Sequence, residues 1–332
     1  MDGFLNVNKP SGWTSHDVVA HLRNLLGTEF KQGGDRFEIC PQSRPSRLKI
    51  GHTGTLDPDA TGVLPICVGK ATKLARFLTE TDKEYRAVMR LGETTDTQDA
   101  SGKILTRRPV GLLTEERIRV ALIPFRGEIR QIPPMYSAVK VGGQPLYKAA
   151  RAGREVDRAS RTVTILRLEL LGIHENDVTL TVACSKGTYV RTLCADIGER
   201  LGTGAHLVAL ERTRSGPFRI EEAMTIPDLE EAVRSGRVRE RLLPPGRVLK
   251  DFPSVSVTAD GARHVLNGAT IGLKGVARWP KEFETGQHVL VYNTAGDLIA
   301  LAEALVGRRE APVGAPNGDR KTGVFKVERV LV

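Results

Sequence analysis

The chain has 332 residues, of which 40% are hydrophobic and 27% charged, with four cysteines and a formal net charge of +10. This length predicts about two domains, and the composition predicts a soluble globular class. No apolar run reaches the roughly 18 residues of a membrane helix, and no C-x-x-C pair supports zinc ligation or a disulfide framework. Cys40, Cys67, Cys184 and Cys194 read as reduced thiols, with Cys67 and Cys184 as small buried apolar residues. The N-terminal MDGFLNVNKPSG lacks the basic and apolar regions of a signal peptide, so the cytoplasm is the default location. The positive charge favours a polyanionic partner such as nucleic acid over a merely soluble basic surface.

In chain order, residues 14–27 predict a helix capped by Thr14 or Ser15, with Val18, Leu22, Leu25 and Leu26 as its apolar stripe and Gly27 as its end. Residues 28–48 lose periodicity around Gly33, Gly34, Pro41 and Pro45 and predict a loop or insertion. A strand is expected at EYRAVMRLG, after Lys83, followed by the polar turn-rich TTDTQDASG. Residues 114–126 predict a helix. Residues 131–161 open on a Pro-Pro break and carry six basic residues against two acidic ones. VTILRLELLGI and DVTLTVACS, split by His174-Glu-Asn, predict an antiparallel pair, and a helix is expected from Val190 to Leu201.

The best linker is LLPPGRVLKDFPS, residues 242–254. Beyond it come short strands at SVSVTA, HVLVYN, LIALAEAL and VFKVERVLV, one short helix at ADGARHVLNG, and the hairpin turn NTAGD. The boundaries expected are 1–245 for a larger α+β domain and 251–332 for a small β-rich one.

The stretch GHTGTLDPDATGVLPICVGKATKL, from Gly51 to Leu74, carries the chemistry question. It is not a phosphate loop: Leu64 stands where the first glycine is needed, and Ala71 follows Lys70 in place of Ser or Thr. A phosphatase D-x-D-x-T is nominally present at Asp57, Asp59 and Thr61, but GHTGT is not the apolar strand that this chemistry requires. Two readings stay open on local sequence. One is a rigid loop presenting the Asp57 carboxylate. Gly51, Gly54 and Gly62 would supply its turns, Thr53, Thr55 and Thr61 would bond it to itself, and Pro58 would bias Asp57 to an extended backbone. The other is a tight connection in which Asp57 only caps a turn.

The stretch resembles the signature of the TruB family, the bacterial tRNA pseudouridine-55 synthases. Similar segments occur in the same order at 3–19 (GFLNVNKPSGWTSHDVV), 83–102 (KEYRAVMRLGETTDTQDASG), 131–153 (QIPPMYSAVKVGGQPLYKAARAG) and 184–218 (CSKGTYVRTLCADIGERLGTGAHLVALERTRSGPF). The resemblance implies a pseudouridine synthase-like α+β domain with a mixed or antiparallel central sheet and flanking helices. It also implies uridine isomerisation in the T-arm of tRNA, on a flipped-out base, with no cofactor, metal or redox step. Asp57 would be the catalytic aspartate, Tyr85 would lie against the base, and Arg191 would pair with Asp57 and keep it ionised. His52 would help hold the T-loop, and Leu210 and Tyr189 would belong to the substrate pocket. Lys9, with Pro10, would brace the site from a neighbouring loop. Asp59 is not required to be acidic.

Lys148, Arg151 and Arg154 recur at a spacing of three and predict a basic helical edge for RNA phosphates, against the alternative of a solvated charged face. The C-terminal module looks like the PUA-type RNA-binding domains that often end these enzymes. The insertion 28–48 departs from the shorter connection of many relatives and predicts a flexible flap beside the cleft. No membrane contact and no guide RNA are expected, and a monomer is the default. The rival readings are a guide-RNA-dependent synthase subunit and a tRNA-folding chaperone.

Overall fold

A computed structural model describes residues 2–32, 48–137, 139–311 and 323–332. The flap expected at 28–48 falls, from 33 to 47, outside the described residues. Its first residues continue the first helix, which runs Ser15–Gln32 and passes through Gly27 rather than ending there. Gly27 keeps a negative φ, so it does not supply the left-handed turn that stops a helix. Thr14 caps the start: its Oγ1 accepts from the Asp17 N–H at 3.0 Å, while Asp17 accepts from the Thr14 N–H at 2.8 Å.

The larger part is a nine-stranded mixed sheet. Its main order is Gly3–Lys9, Thr61–Val68, Ala205–Ser215, Lys83–Leu91, Asp177–Cys184, Arg161–His174 and Gly127–Gln131. The expected antiparallel pair at 161–184 is present, turning through Glu175 at φ 52°. Neighbours along this order are antiparallel except at one junction, where Glu211 and Arg212 run parallel to Thr61 and Gly62. That junction requires glycine: Gly62 has φ 98°, and a Cβ there would stand 2.3 Å from the Arg212 carbonyl oxygen.

One apolar core lies under the Lys83–Leu91 side with the helices Glu115–Leu122 and Val190–Arg200, the second close to its expected limits. Another lies under the Gly3–Lys9 side with Ser15–Gln32 and Ile226–Arg234. Tyr85 and Leu210 pack against both, which places them over the join of the two half-sheets.

The C-terminal module is a six-stranded sheet with the helix Ala259–Leu266, and its four principal strands lie where the sequence predicts them. The segment 242–254 is a connection in chain terms but packs as glue. Leu243 exchanges two backbone hydrogen bonds with Phe4, at 2.9 and 2.8 Å. Val248 and Leu249 are buried with Phe4, Cys67, Phe77 and Phe218 on one side and Leu290, Leu301 and Leu331 on the other. Cys67, Cys184 and Cys194 are buried free thiols that burial pushes up to about 12, about 11 and about 12.

Candidate active site

The loop from Gly51 to Ala60 connects two strands at the edge of the parallel junction, and it is held from outside more than by itself. Lys9 is fully buried, and its ammonium donates to the carbonyls of Pro10, Trp13 and Pro58 at 2.8, 2.5 and 2.8 Å. Burial lowers its pKa to about 8. Its polar head is therefore occupied by backbone rather than presented to the cleft, which fits bracing and not direct substrate contact. Ser15 Oγ accepts from the Leu56 N–H at 2.9 Å. Arg212, 1% exposed, donates to Val63 O at 2.6 Å and to Gly54 O at 3.1 Å. The self-bonding threonines are corrected in part, because Thr53 Oγ1 is buried with no partner. Of the three glycines expected to turn the loop, only Gly62 has a positive φ.

Within this frame Asp57 is 45% exposed and meets a 6% exposed Arg191 side chain, with Nη2 3.2 Å from Oδ2 and 3.3 Å from Oδ1. The same Nη2 donates to Tyr136 O at 2.9 Å, while Nη1 pairs with Asp99 Oδ2 at 3.2 Å. Arg191 thus divides its charge between two carboxylates and a carbonyl. Arg191 pairs with Asp57 and favours its ionised form, as expected, but it does not act alone. Desolvation raises the Asp57 pKa, and Arg191 opposes this while Asp99 and Asp59 add to it. Asp59 itself is exposed.

Tyr85 faces Arg212 across the strand pair, and Leu210 faces Ala87 two positions along. The Tyr85 hydroxyl is raised by burial, with Arg212 opposing. His52 is lowered by burial and by Arg212, and its Nδ1 accepts from the Gly54 N–H at 3.3 Å. A neutral ring with its proton on Nε2 satisfies both facts. Tyr189 precedes the Val190–Arg200 helix, its ring 4.7 Å from the Arg161 guanidinium and 5.8 Å from that of Arg191.

The structure therefore joins Asp57, Arg191 and Asp99 in one ion-pair cluster, with Tyr189 beside Arg191, Tyr85 and His52 near Arg212, Leu210 packed on the same two cores as Tyr85, and Lys9 behind the loop at Pro58. The basic edge is different. Its helix is only Leu146–Arg151, so Lys148 and Arg154 do not share a helical face as the spacing predicted. Gly153 at φ 66° ends the turn and carries Arg154 away, although both side chains are exposed. Arg151 belongs to the helix by its backbone.

Sequence reasoning missed Asp99, Arg212 and Gln131. Asp99 sits in a segment read only as a turn, and its Oδ1 indeed bonds Thr97 and Ser101 locally, at 2.7 and 2.5 Å. That local use hides the other oxygen, which meets Arg191. Among the described residues no group of three or more His, Cys, Asp or Glu is placed to hold a metal, and no helix is long and apolar enough to cross a membrane.

Comparison with known proteins agrees with this architecture. The chain matches the TruB family pseudouridylate synthase N-terminal domain over residues 43–190 and the tRNA pseudouridylate synthase B C-terminal domain over 191–250. The tRNA pseudouridine synthase B of Geobacillus kaustophilus (strain HTA426) is 48% identical over 280 residues, covering 82% of this chain and 92% of that one. That of Bacillus licheniformis is 41% identical over 337 residues, covering 100% and 98%. Among solved structures, a chain of a Cbf5-Nop10-Gar1 complex is similar with a TM-score of 0.74 at 30% identity, covering 99% of this chain and 85% of that one. An H/ACA RNP bound to a substrate RNA containing 2'-deoxyuridine gives 0.73 at 28% identity, with coverage of 99% and 85%. The shared sheet, the aligned motifs and identities of 41–48% across most of the chain place this protein in the TruB family of pseudouridylate synthases.

Proposed function

We propose that the protein converts uridine to pseudouridine at position 55 in the T-loop of tRNA, with Asp57 acting on a flipped-out base. The observation that carries the reading is the Asp57–Arg191 pair, 3.2 Å apart, with the carboxylate half exposed and close enough for its charge to act on Tyr85. Pseudouridine formation breaks N1–C1′, turns the base and joins C5 to C1′. The ribose carbon becomes electron-poor, and an anchored carboxylate can stabilise or attack it. Nothing is oxidised and no group is imported. In this reading Tyr85 lies along the base and assists loss of the C5 proton, while Leu210 and Tyr189 wall the pocket and His52 holds the opened loop of the RNA. Flipping costs a few kcal/mol, which phosphate contacts from Lys148, Arg151 and Arg154 would offset.

Residues 1–245 act in this reading as the catalytic domain and 251–332 as a PUA-like RNA-binding domain. The relatives at 41–48% identity are named tRNA pseudouridine synthase B, whereas the Cbf5-containing structures stand at 27–30%, which favours the guide-independent reading, taken here with a monomer as the default. The structural likeness to those complexes supports guide dependence as the second reading.

Tritium release from tRNA labelled at uridine C5, with protein alone and no added cofactor, tests the proposal. Release is expected from tRNA with uridine at position 55 and not from tRNA with cytidine there. Tight tRNA binding without release would overturn the stand-alone reading and favour a guide-dependent subunit or an RNA chaperone.

A further inference from the structure

The basic segment leaves the large sheet at Gln131 and returns at Arg161, and these two residues are registered partners at the sheet edge. The neck between them is closed by Arg158 Nη1 donating to Pro133 O at 3.1 Å. Both ends of the segment grip Tyr189. Gln131, 1% exposed, accepts from the Tyr189 N–H through Oε1 at 2.8 Å and donates to its carbonyl through Nε2 at 3.0 Å. Arg161 lays its guanidinium on the Tyr189 ring. Its Nε and Nη2 are shut away from water without a hydrogen-bond partner, so stacking on the ring, not hydrogen bonding, governs its position.

Tyr189 stands two residues before Arg191, whose guanidinium lies near the same ring. Arg191 is also held by a carbonyl of the excursion itself, that of Tyr136. The chain of contact is continuous from the segment's neck to the Asp57 carboxylate. Backbone clamp, ring stack and ion pair are each short-range and directional, so a shift at the neck displaces Arg191.

We propose that Gln131, Arg161 and Tyr189 form a positioning joint, through which RNA engaged by the 132–160 segment sets the placement of Arg191 and hence of Asp57. The joint touches no reacting atom. It rests on the reading above that this segment binds RNA and that Asp57 is catalytic.

The first test needs no substrate. Carbon-13 NMR of aspartate carboxyls follows the Asp57 titration in wild type, R161M and R161K. R161K keeps the charge and most of the stem but loses the planar face, so a shift common to both variants is mechanical. The Asp57 pKa is expected to rise in both, because a displaced Arg191 opposes desolvation less. An unmoved titration in R161K overturns the joint. Should R161M melt well below wild type, R161K alone decides.

The second test is single-turnover tritium release beside tRNA binding. R161K is expected to slow the saturated rate by about 10- to 100-fold, the scale of a small misplacement of a catalytic group, while Kd changes less than about threefold. The acid limb of its rate profile moves to higher pH. In a Y189L background R161K adds no further loss, because Arg161 acts through the ring. Weaker binding at an unchanged rate, or penalties that multiply, would make Arg161 an independent phosphate contact and overturn the proposal. Wild type without release, together with a shifted Asp57 titration in R161K, would sink the functional reading and leave the joint standing.

Discussion

The Asp57 loop and the 131–161 segment both stand off the sheet, both are rich in turn residues, and they are built in opposite ways. The first is nailed down by buried cations: Lys9 ties the Pro58 carbonyl to those of Pro10 and Trp13, Arg212 ties that of Gly54 to that of Val63, and Arg191 grips the carboxylate. The second is anchored at its neck, and its Lys148 and Arg154 side chains project into solvent. The difference fits the two tasks that the proposed function gives them. Bond cleavage at one ribose carbon needs a preorganised carboxylate, where a misplacement of about 1 Å costs on the order of 100-fold. Attraction of a phosphate backbone needs charge at the surface and little precision.

Substitutions that move only one of the two regions sharpen the contrast. The largest effect is expected for Asp57→Asn, which should lower tritium release by about 10⁴-fold or more with tRNA binding retained. Appreciable release by this variant would sink the assigned role of Asp57.

Asp99→Asn comes next. It removes a neighbouring negative charge and leaves Asp57 as the carboxylate paired with Arg191, so the Asp57 pKa should fall and the acid limb of the rate should move to lower pH. Loss of the Asp99 tether should also slow the plateau rate by about tenfold. A limb moving to higher pH would show that Asp99 does not compete for Arg191.

Lys9→Met leaves carbonyls unsatisfied at about 1–3 kcal/mol each, so a stability loss of about 2 kcal/mol or more is expected by denaturant unfolding. The sign of the pH effect follows from a folded pKa of about 8 against the ordinary lysine value of 10.5. Between those values the unfolded chain binds more protons, so Lys9 makes stability rise with pH across that window. Lys83, also lowered to about 8 by burial, adds to the same slope. The variant should flatten the rise without abolishing it, and an unchanged slope would deny Lys9 its burial cost.

The smallest effect on chemistry is expected for Lys148→Ala with Arg154→Ala. Saturated turnover should stay at the wild-type rate while the slope of log K against log salt drops by about two, one for each lost phosphate contact. A slower saturated rate would erase the contrast and show that these two contacts are themselves needed to engage the joint.

Much of this arrangement was legible in the linear sequence. The period-two runs at 161–184 and the apolar stripe after Thr14 specify their elements locally, because one face of each must leave water. Local rules failed where tertiary packing overrode them. Gly27 does not stop its helix, and the turn ending at Gly153 breaks a charge spacing that looked continuous. The Pro-rich connection at 242–254 is glue because Val248 and Leu249 find apolar partners on two sheets, which no window of sequence contains.

The sequence by itself determined the family and the residues to follow: one aspartate in a Gly- and Pro-framed loop, an arginine at the start of a helix, a tyrosine on a strand, and a basic excursion between strands. Only the tertiary structure decided how that aspartate is tuned. Arg191 meets Asp57 and Asp99 across 134 and 92 residues, and Arg212 reaches Gly54 across 158. Distances of that order along the chain are closed by sheet pairing and core burial, so the competition for one guanidinium arises only when the two half-sheets meet.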